Sequence, residues 1–91
     1  MADALRAAGP DCALWTPVPG GNAAFYARRF THETAIHRAD AVLALGRSFT
    51  LEPDIAVDGI DEWLELGSLP MHFDIHPWMR ELLGPGRTIA L

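Results

Sequence analysis

The amino-acid sequence predicts an all-α fold, and two uninterrupted helical patterns carry that prediction. The run over 23–45 contains no Gly or Pro and stops at Gly46, a residue type that commonly follows a helix end. A second run, over 53–66, opens with Pro53, which suits the first turn of a helix. We therefore expect a partial helical bundle of two main antiparallel helices, with short helices around them and little or no sheet.

Short elements flank the two main helices. Residues 2–8 have a helical composition and are followed at once by a Gly-Pro stop. A further short helix is expected at 77–83, between a proline and a Gly-Pro-Gly turn. Residues 87–91 resemble a first strand, and a lone strand without a partner indicates a truncated chain.

The segment between the first two helices is predicted to be an irregular loop. Residues 10–21 contain three Pro and two Gly, which break regular structure. Leu14 and Trp15 are expected to anchor this loop through apolar contacts. Asn22 follows and suits the N-cap of the long helix, because its side chain can accept a hydrogen bond from the first turn.

The long helix has two faces on a helical wheel that starts at Phe25. Four residues fall within about 60° of it: Arg29, Ile36, Asp40 and Leu43. Four others are expected on the solvated face: Arg28, Thr31, Thr34 and Arg38. Glu33 and His37 fall at about 80° and 120°, beside Tyr26 and Phe30, which assigns them to the apolar half.

The second main helix is predicted to bury one apolar stripe: Ile55, Ile60, Trp63 and Leu66. Gly59 lies on this stripe and costs about 1 kcal/mol of helix stability relative to Ala. We expect it to permit a close approach to the long helix. The acidic residues of this helix are expected on its solvated and N-terminal side: Asp54, Asp58, Asp61 and Glu62.

Composition excludes several classes of partner. The 91 residues are 49% hydrophobic and 21% charged, which is typical of one small globular domain or a piece of a larger one. The net charge of −5, with no basic cluster beyond Arg28-Arg29, argues against nucleic acid. No apolar stretch approaches the ~20 residues of a membrane span, and the N-terminus lacks a signal-peptide pattern. The single Cys12 excludes an internal disulfide and favours a cytoplasmic location.

Glu33 and His37 form the candidate metal site. They lie four residues apart, on one face of the long helix, and both are ligands for zinc or another first-row divalent metal. His32 and His37 are about 140° apart around the helix, so they cannot chelate one ion as the two histidines of a zincin motif do. Spacing alone leaves open a simple hydrogen-bonded Glu–His pair.

Other histidines and acids have weaker claims. His72 and His76 are either additional metal ligands or loop and cap residues. Asp40, three positions after His37, either orients that imidazole or pairs with a neighbouring arginine. His32 is expected at a helix interface.

Four segments together resemble the mycothiol-dependent maleylpyruvate isomerase family, over about residues 5–66. They are Trp15 through Phe25, Ala27-Arg28-Arg29, His32-Glu33-Thr34-Ala35-Ile36-His37-Arg38-Ala39-Asp40, and Ala56-Val57-Asp58-Gly59-Ile60-Asp61-Glu62-Trp63-Leu64. The resemblance implies a metal-binding domain similar to the DinB helical bundle over 1–70, of which only the second half is present. It also implies a linker and the start of a truncated C-terminal domain over 71–91. The seven basic residues are all Arg, which is typical of a GC-rich, actinobacterial genome.

The resemblance further implies a divalent metal, zinc, bound by a Glu and a His of the long helix and by a His of an earlier helix. Glu33 and His37 match the first two ligands, and the third is missing from this chain. Mycothiol would be the thiol cofactor, for thiol-assisted cis–trans isomerisation or thiol transfer on a small-molecule substrate. We expect a catalytically incomplete domain, whose catalytic and mycothiol-binding residues stay unassigned.

An alternative function is a non-catalytic helical module that self-associates. Half of a four-helix bundle leaves an apolar face uncovered, and such faces usually mark an interface. The chain is therefore expected to form a homo-oligomer, or to join a missing N-terminal half. Four residues should then be partly buried between chains: Phe25, Phe30, Ile36 and Trp63.

Overall fold

The computed structural model describes residues 1–88 and Ala90, and this part of the chain is helical without any β-strand. The predicted all-α class is confirmed. The elements, in chain order, are α1 (Ala2–Ala8), α2 (Ala23–Ala44), α3 (Pro53–Gly67), α4 (Pro70–Ile75) and a 3₁₀ helix (Pro77–Leu82).

The helix boundaries follow the local signals. Gly46 has a φ of 66°, a left-handed conformation that glycine adopts without steric cost, and it terminates the path of α2. α4 was not predicted from the sequence. Pro70 occupies its first helical turn, where a missing N–H costs nothing.

The C-terminal strand expected over 87–91 is not observed where the structure describes this segment. Arg87, Thr88 and Ala90 have no regular secondary structure. Positions 89 and 91 lie outside the described residues, so that part of the prediction stays untested.

The loop before α2 completes the hydrogen bonding of the first helical turn. The Asn22 side chain accepts a hydrogen bond from the Phe25 N–H at 3.3 Å, as predicted. The N–H groups of Ala23 and Ala24 donate to the carbonyls of Cys12 and Pro10, at 2.9 and 3.0 Å. These bonds satisfy donors that have no partner inside the helix.

The prediction that Leu14 and Trp15 anchor this loop through apolar contacts is wrong, because both side chains are exposed. The loop is held through its backbone instead, because the Tyr26 hydroxyl donates to the Trp15 carbonyl at 2.6 Å.

α2 and α3 form an antiparallel pair. Their side-chain contacts run in opposite order along the two helices, from Arg28–Glu65 through Arg29–Glu62 to His32–Asp58. The close approach expected at Gly59 is confirmed. A Cβ atom at that position would lie only 3.1 Å from His32 Nδ1, so the imidazole occupies the space of a missing side chain.

The contact between α2 and α3 is charged rather than apolar. Glu62 is the most buried residue of α3, with 2% of its surface exposed, while Ile60 and Trp63 of the expected apolar stripe are exposed. Arg28, expected in solvent, binds α3 instead. It lies about 60° from Phe25, on the same side of the helix as Arg29. The prediction that Arg28 belongs to the solvated face is therefore wrong.

Apolar packing is sparse throughout the described residues. Ala23 is the only apolar residue there that is buried. The radius of gyration is 16.1 Å, against about 12 Å for a compact domain of this length. No helix within residues 1–88 has the length and apolar character that crossing a bilayer requires.

Candidate functional site

Glu33 and His37 lie side by side on one surface of α2. Glu33 Oε2 is 3.4 Å from His37 Nε2, and their side chains are 49% and 74% exposed. The apolar half of α2 that includes this pair is therefore not a buried face, since Phe30 and Ile36 are exposed as well. α3 packs on the neighbouring side of α2, which carries Arg28, Arg29 and His32, and leaves the pair accessible.

The separation of these two atoms fits a shared metal ion. Zinc binds nitrogen and oxygen ligands at about 2.0–2.2 Å in tetrahedral geometry, which places two ligand atoms roughly 3.3 to 3.6 Å apart. The observed 3.4 Å lies within that range. The helix backbone thus holds the two donor atoms at a separation that one ion could bridge.

The contacts around the pair orient both side chains. Asp40 Oδ2 lies 3.5 Å from His37 Nδ1, the ring nitrogen that faces away from Glu33. A carboxylate at this nitrogen is the kind of partner that commonly orients a metal-binding imidazole. Arg29 Nη2 donates to Glu33 Oε1 at 2.5 Å, which leaves Oε2 as the available oxygen.

A third protein ligand does not join the pair in the described part of the chain. Among residues 1–88 and 90, no three His, Cys, Asp or Glu side chains are grouped as metal ligands. Asp40 cannot serve, because it contacts the opposite ring nitrogen of His37. His72 and His76 contact each other rather than completing this site.

Next to the pair, Arg28 forms an ionic network that sequence reasoning missed. Its guanidinium contacts Asp58 Oδ1 and Oδ2 at 2.9 and 3.0 Å, and Glu65 Oε2 at 2.7 Å. The hydrogen bond from Arg28, followed by that from His32, holds the pKa of Asp58 below its ordinary value. The same contacts with Asp58 and Glu65 raise the pKa of Arg28.

Two further charged contacts complete this network. His32 Nε2 lies 2.7 Å from Asp58 Oδ2, so the predicted interface role of His32 is confirmed. Arg29 donates to the buried Glu62 Oε1. Glu62 Oε2 has no hydrogen-bond partner within the described residues, and Arg28 Nε lies 3.9 Å from it. The sequence signal for this network was the spacing of three acidic residues on α3, opposite two arginines and a histidine of α2. The three are Asp58, Glu62 and Glu65.

An open groove of about 580 Å³ runs between α2 and α3, beside the metal-ligand pair. Glu33 and Arg29 supply charge at its wall, and most of the remaining surface is apolar. Its apolar walls include Ile36, Ile55, Ile60 and Trp63. A small organic molecule in this groove would lie against the Glu33 side chain.

Comparisons of the chain with protein-family models, curated proteins and solved structures found no match. The resemblance to the maleylpyruvate isomerase family and the DinB-like detail of the bundle remain predictions. The Glu33–His37 pair and the adjacent groove are therefore the features of this chain that bear on its function.

Proposed function

We propose that the chain is part of a metal-binding domain that activates a thiol for cis–trans isomerisation or transfer, as the family resemblance implies. The observation that supports this most directly is the 3.4 Å separation of Glu33 Oε2 and His37 Nε2. A bound divalent ion with an open position would favour the thiolate form of a thiol such as mycothiol. The apolar groove beside Glu33 offers space for an organic substrate.

Each residue around the pair has a distinct part in this proposal. Glu33 and His37 hold the ion. Asp40, beside His37 Nδ1, would orient the imidazole once Nε2 binds the ion, and Arg29 pairs with the other oxygen of Glu33. A zinc site normally takes three or four protein ligands, so the third must come from outside this pair. We therefore expect weak metal binding and little catalytic activity from this chain alone.

Zinc titration of the purified, untagged chain tests the proposal. The parent should bind one zinc ion weakly, while Glu33→Ala and His37→Ala should abolish binding, because each removes one of only two ligands. Thr34→Ala is the matched control, since Thr34 is exposed on the same helix and should leave binding unchanged. Circular dichroism confirms that all variants keep their helices. Equal binding by the parent and both ligand variants would show that the site is elsewhere.

A self-associating helical module is the second candidate function. The observation that favours it is the exposure of Ile36, Ile60 and Trp63, which lie together along the groove between α2 and α3. Exposed apolar surface of this kind commonly marks an interface. The two functions are compatible, because a further helix over this groove would both cover the apolar face and approach the metal-ligand pair.

A further inference from the structure

Three side chains with nitrogen or sulfur donors lie next to one another where α4 meets the 3₁₀ helix. His72 Nε2 lies 3.1 Å from Met79 Sδ. The rings of His72 and His76 have centroids 5.1 Å apart and planes inclined by 59°. None of the three residues belongs to the Glu33–His37 pair, so this cluster is independent of the function proposed above.

The backbone holds this cluster in place. The His76 N–H donates to the His72 carbonyl at 2.9 Å, and the Met79 N–H donates to the His76 carbonyl at 3.0 Å. Arg80 and Asp74 form an ion pair that joins the same two helical segments. The donors are therefore positioned by short-range hydrogen bonds rather than by distant packing.

One donor in the cluster lacks a partner. His76 Nδ1 is buried and makes no hydrogen bond to any group within residues 1–88 and 90. A buried polar atom without a partner costs free energy, and such atoms call for an explanation. A bound cation would satisfy this nitrogen.

We propose that His72, His76 and Met79 bind a soft monovalent cation of the Cu(I) class. Thioether sulfur is a soft ligand that selects Cu(I), and imidazole is also a good copper ligand. The nearby carboxylate of Asp74 is occupied by Arg80, so the cluster presents nitrogen and sulfur without a hard oxygen donor. This donor set disfavours Mg²⁺ and Ca²⁺, which require oxygen ligands.

The competing use of the His72–Met79 contact is an N–H···S hydrogen bond. That bond requires the proton on Nε2, whereas cation binding requires the lone pair there. If the contact is only a structural hydrogen bond, the cluster should not bind soft cations. Measurements of cation binding therefore distinguish the hydrogen bond from the metal site.

Silver(I) is a suitable probe because it is soft, monovalent and does not change oxidation state under these conditions. The free thiol of Cys12 would also bind silver, so all measurements use a Cys12→Ser background in chloride-free buffer. Met79→Leu should lower silver affinity by at least about tenfold. Removing a residue that only orients a metal ligand commonly lowers metal affinity by that factor, and Met79 would contact the ion directly. Met71→Leu, on the exposed side of α4, should have no effect.

Methyl NMR of the parent background gives a second readout that needs no variant in the cluster. Addition of silver should shift the Met79 methyl resonance at one equivalent and leave that of Met71 in place. Equal silver affinity of Met79→Leu and its parent, or equal shifts at both methionines, would overturn the proposal.

Discussion

Gly59 shows how one missing side chain sets the distance between two helices. His32 Nδ1 lies 3.1 Å from where a Cβ would be, and the other side of the ring is held by Asp58 at 2.7 Å. The imidazole is thus confined on both sides. The glycine that permits this contact has a lower helix propensity than alanine, which by itself destabilises α3.

Gly59→Ala should therefore destabilise the fold, although alanine favours helices. Gly67→Ala is the matched control, because Gly67 is also in α3 and a Cβ there would have no atom within 4 Å. We expect the control to raise the free energy of unfolding by up to about 1 kcal/mol. Thermal unfolding followed by circular dichroism measures both changes. A stabilising Gly59→Ala would show that His32 can move aside without cost.

At the scale of elements, ionic contacts hold α2 against α3. One guanidinium, that of Arg28, contacts two carboxylates that lie two turns apart on α3. Arginine can do this because its nitrogens form a planar fork, whereas lysine offers a single charged atom. Since few apolar groups are buried between the helices, this network carries much of their pairing.

Arg28→Lys should lower the midpoint of thermal unfolding by roughly 4 °C, because the fork that joins Asp58 and Glu65 is lost. Arg6→Lys provides the control. Arg6 pairs only with Asp3 within α1, and both side chains are exposed, so this change should be close to neutral. Similar midpoints for the two variants would mean that the Arg28 network contributes no more than an isolated surface pair.

The same network predicts how stability depends on pH. The pKa of Asp58 is lower in the folded chain than its ordinary value, first because of Arg28 and then because of His32. The unfolded state therefore binds the proton more readily, and the stabilisation present above about pH 4 is lost as the pH falls below it. Denaturant titrations at several pH values should show this loss in the parent. In Asp58→Asn the part of the slope due to this residue should disappear, and an unchanged slope would contradict the assignment.

Local signals predicted the elements better than the contacts between them. Asn22, Gly46 and Pro53 act through their own backbone and side chain, so the sequence was sufficient to place the ends of α2 and α3. Glu62 was expected in solvent because carboxylates usually are. Its burial depends on Arg29 in another helix, a pairing that periodicity of one helix cannot reveal.

The candidate site was only partly predictable for a related reason. The four-residue spacing of Glu33 and His37 was enough to predict their proximity, since helix geometry fixes it. Their exposure depends on which side of α2 receives α3. The side that receives α3 carries the polar contacts of Arg28, Arg29 and His32, and not the apolar residues that the helical wheel followed.

At the scale of the whole molecule, the described chain leaves most of its large apolar side chains in contact with solvent. Ile36, Leu43, Ile60 and Trp63 are all exposed, and the radius of gyration exceeds that of a compact domain. Hydrophobic burial is the main favourable term in folding. Association with further polypeptide would supply the burial that the single chain lacks.

We therefore expect a dimer or higher oligomer in solution. Trp63→Glu should shift the species towards monomer, because a charge in the groove would have to be desolvated on association. Trp15→Glu is the matched control, since Trp15 is equally exposed, at 76%, but lies outside the groove. Light scattering over a range of concentrations measures the change. A parent that stays monomeric at high concentration would contradict self-association through this face.

The charged seam between α2 and α3 also has an evolutionary consequence. Because Arg28 and Arg29 set the register of the two helices through carboxylates on α3, that register does not depend on which apolar residues line the groove. Substitutions at Ile36, Ile60 and Trp63 could then change which partner binds the groove without altering how α2 packs against α3. Such substitutions would also leave the Glu33–His37 pair in place, because one turn of α2 fixes its geometry.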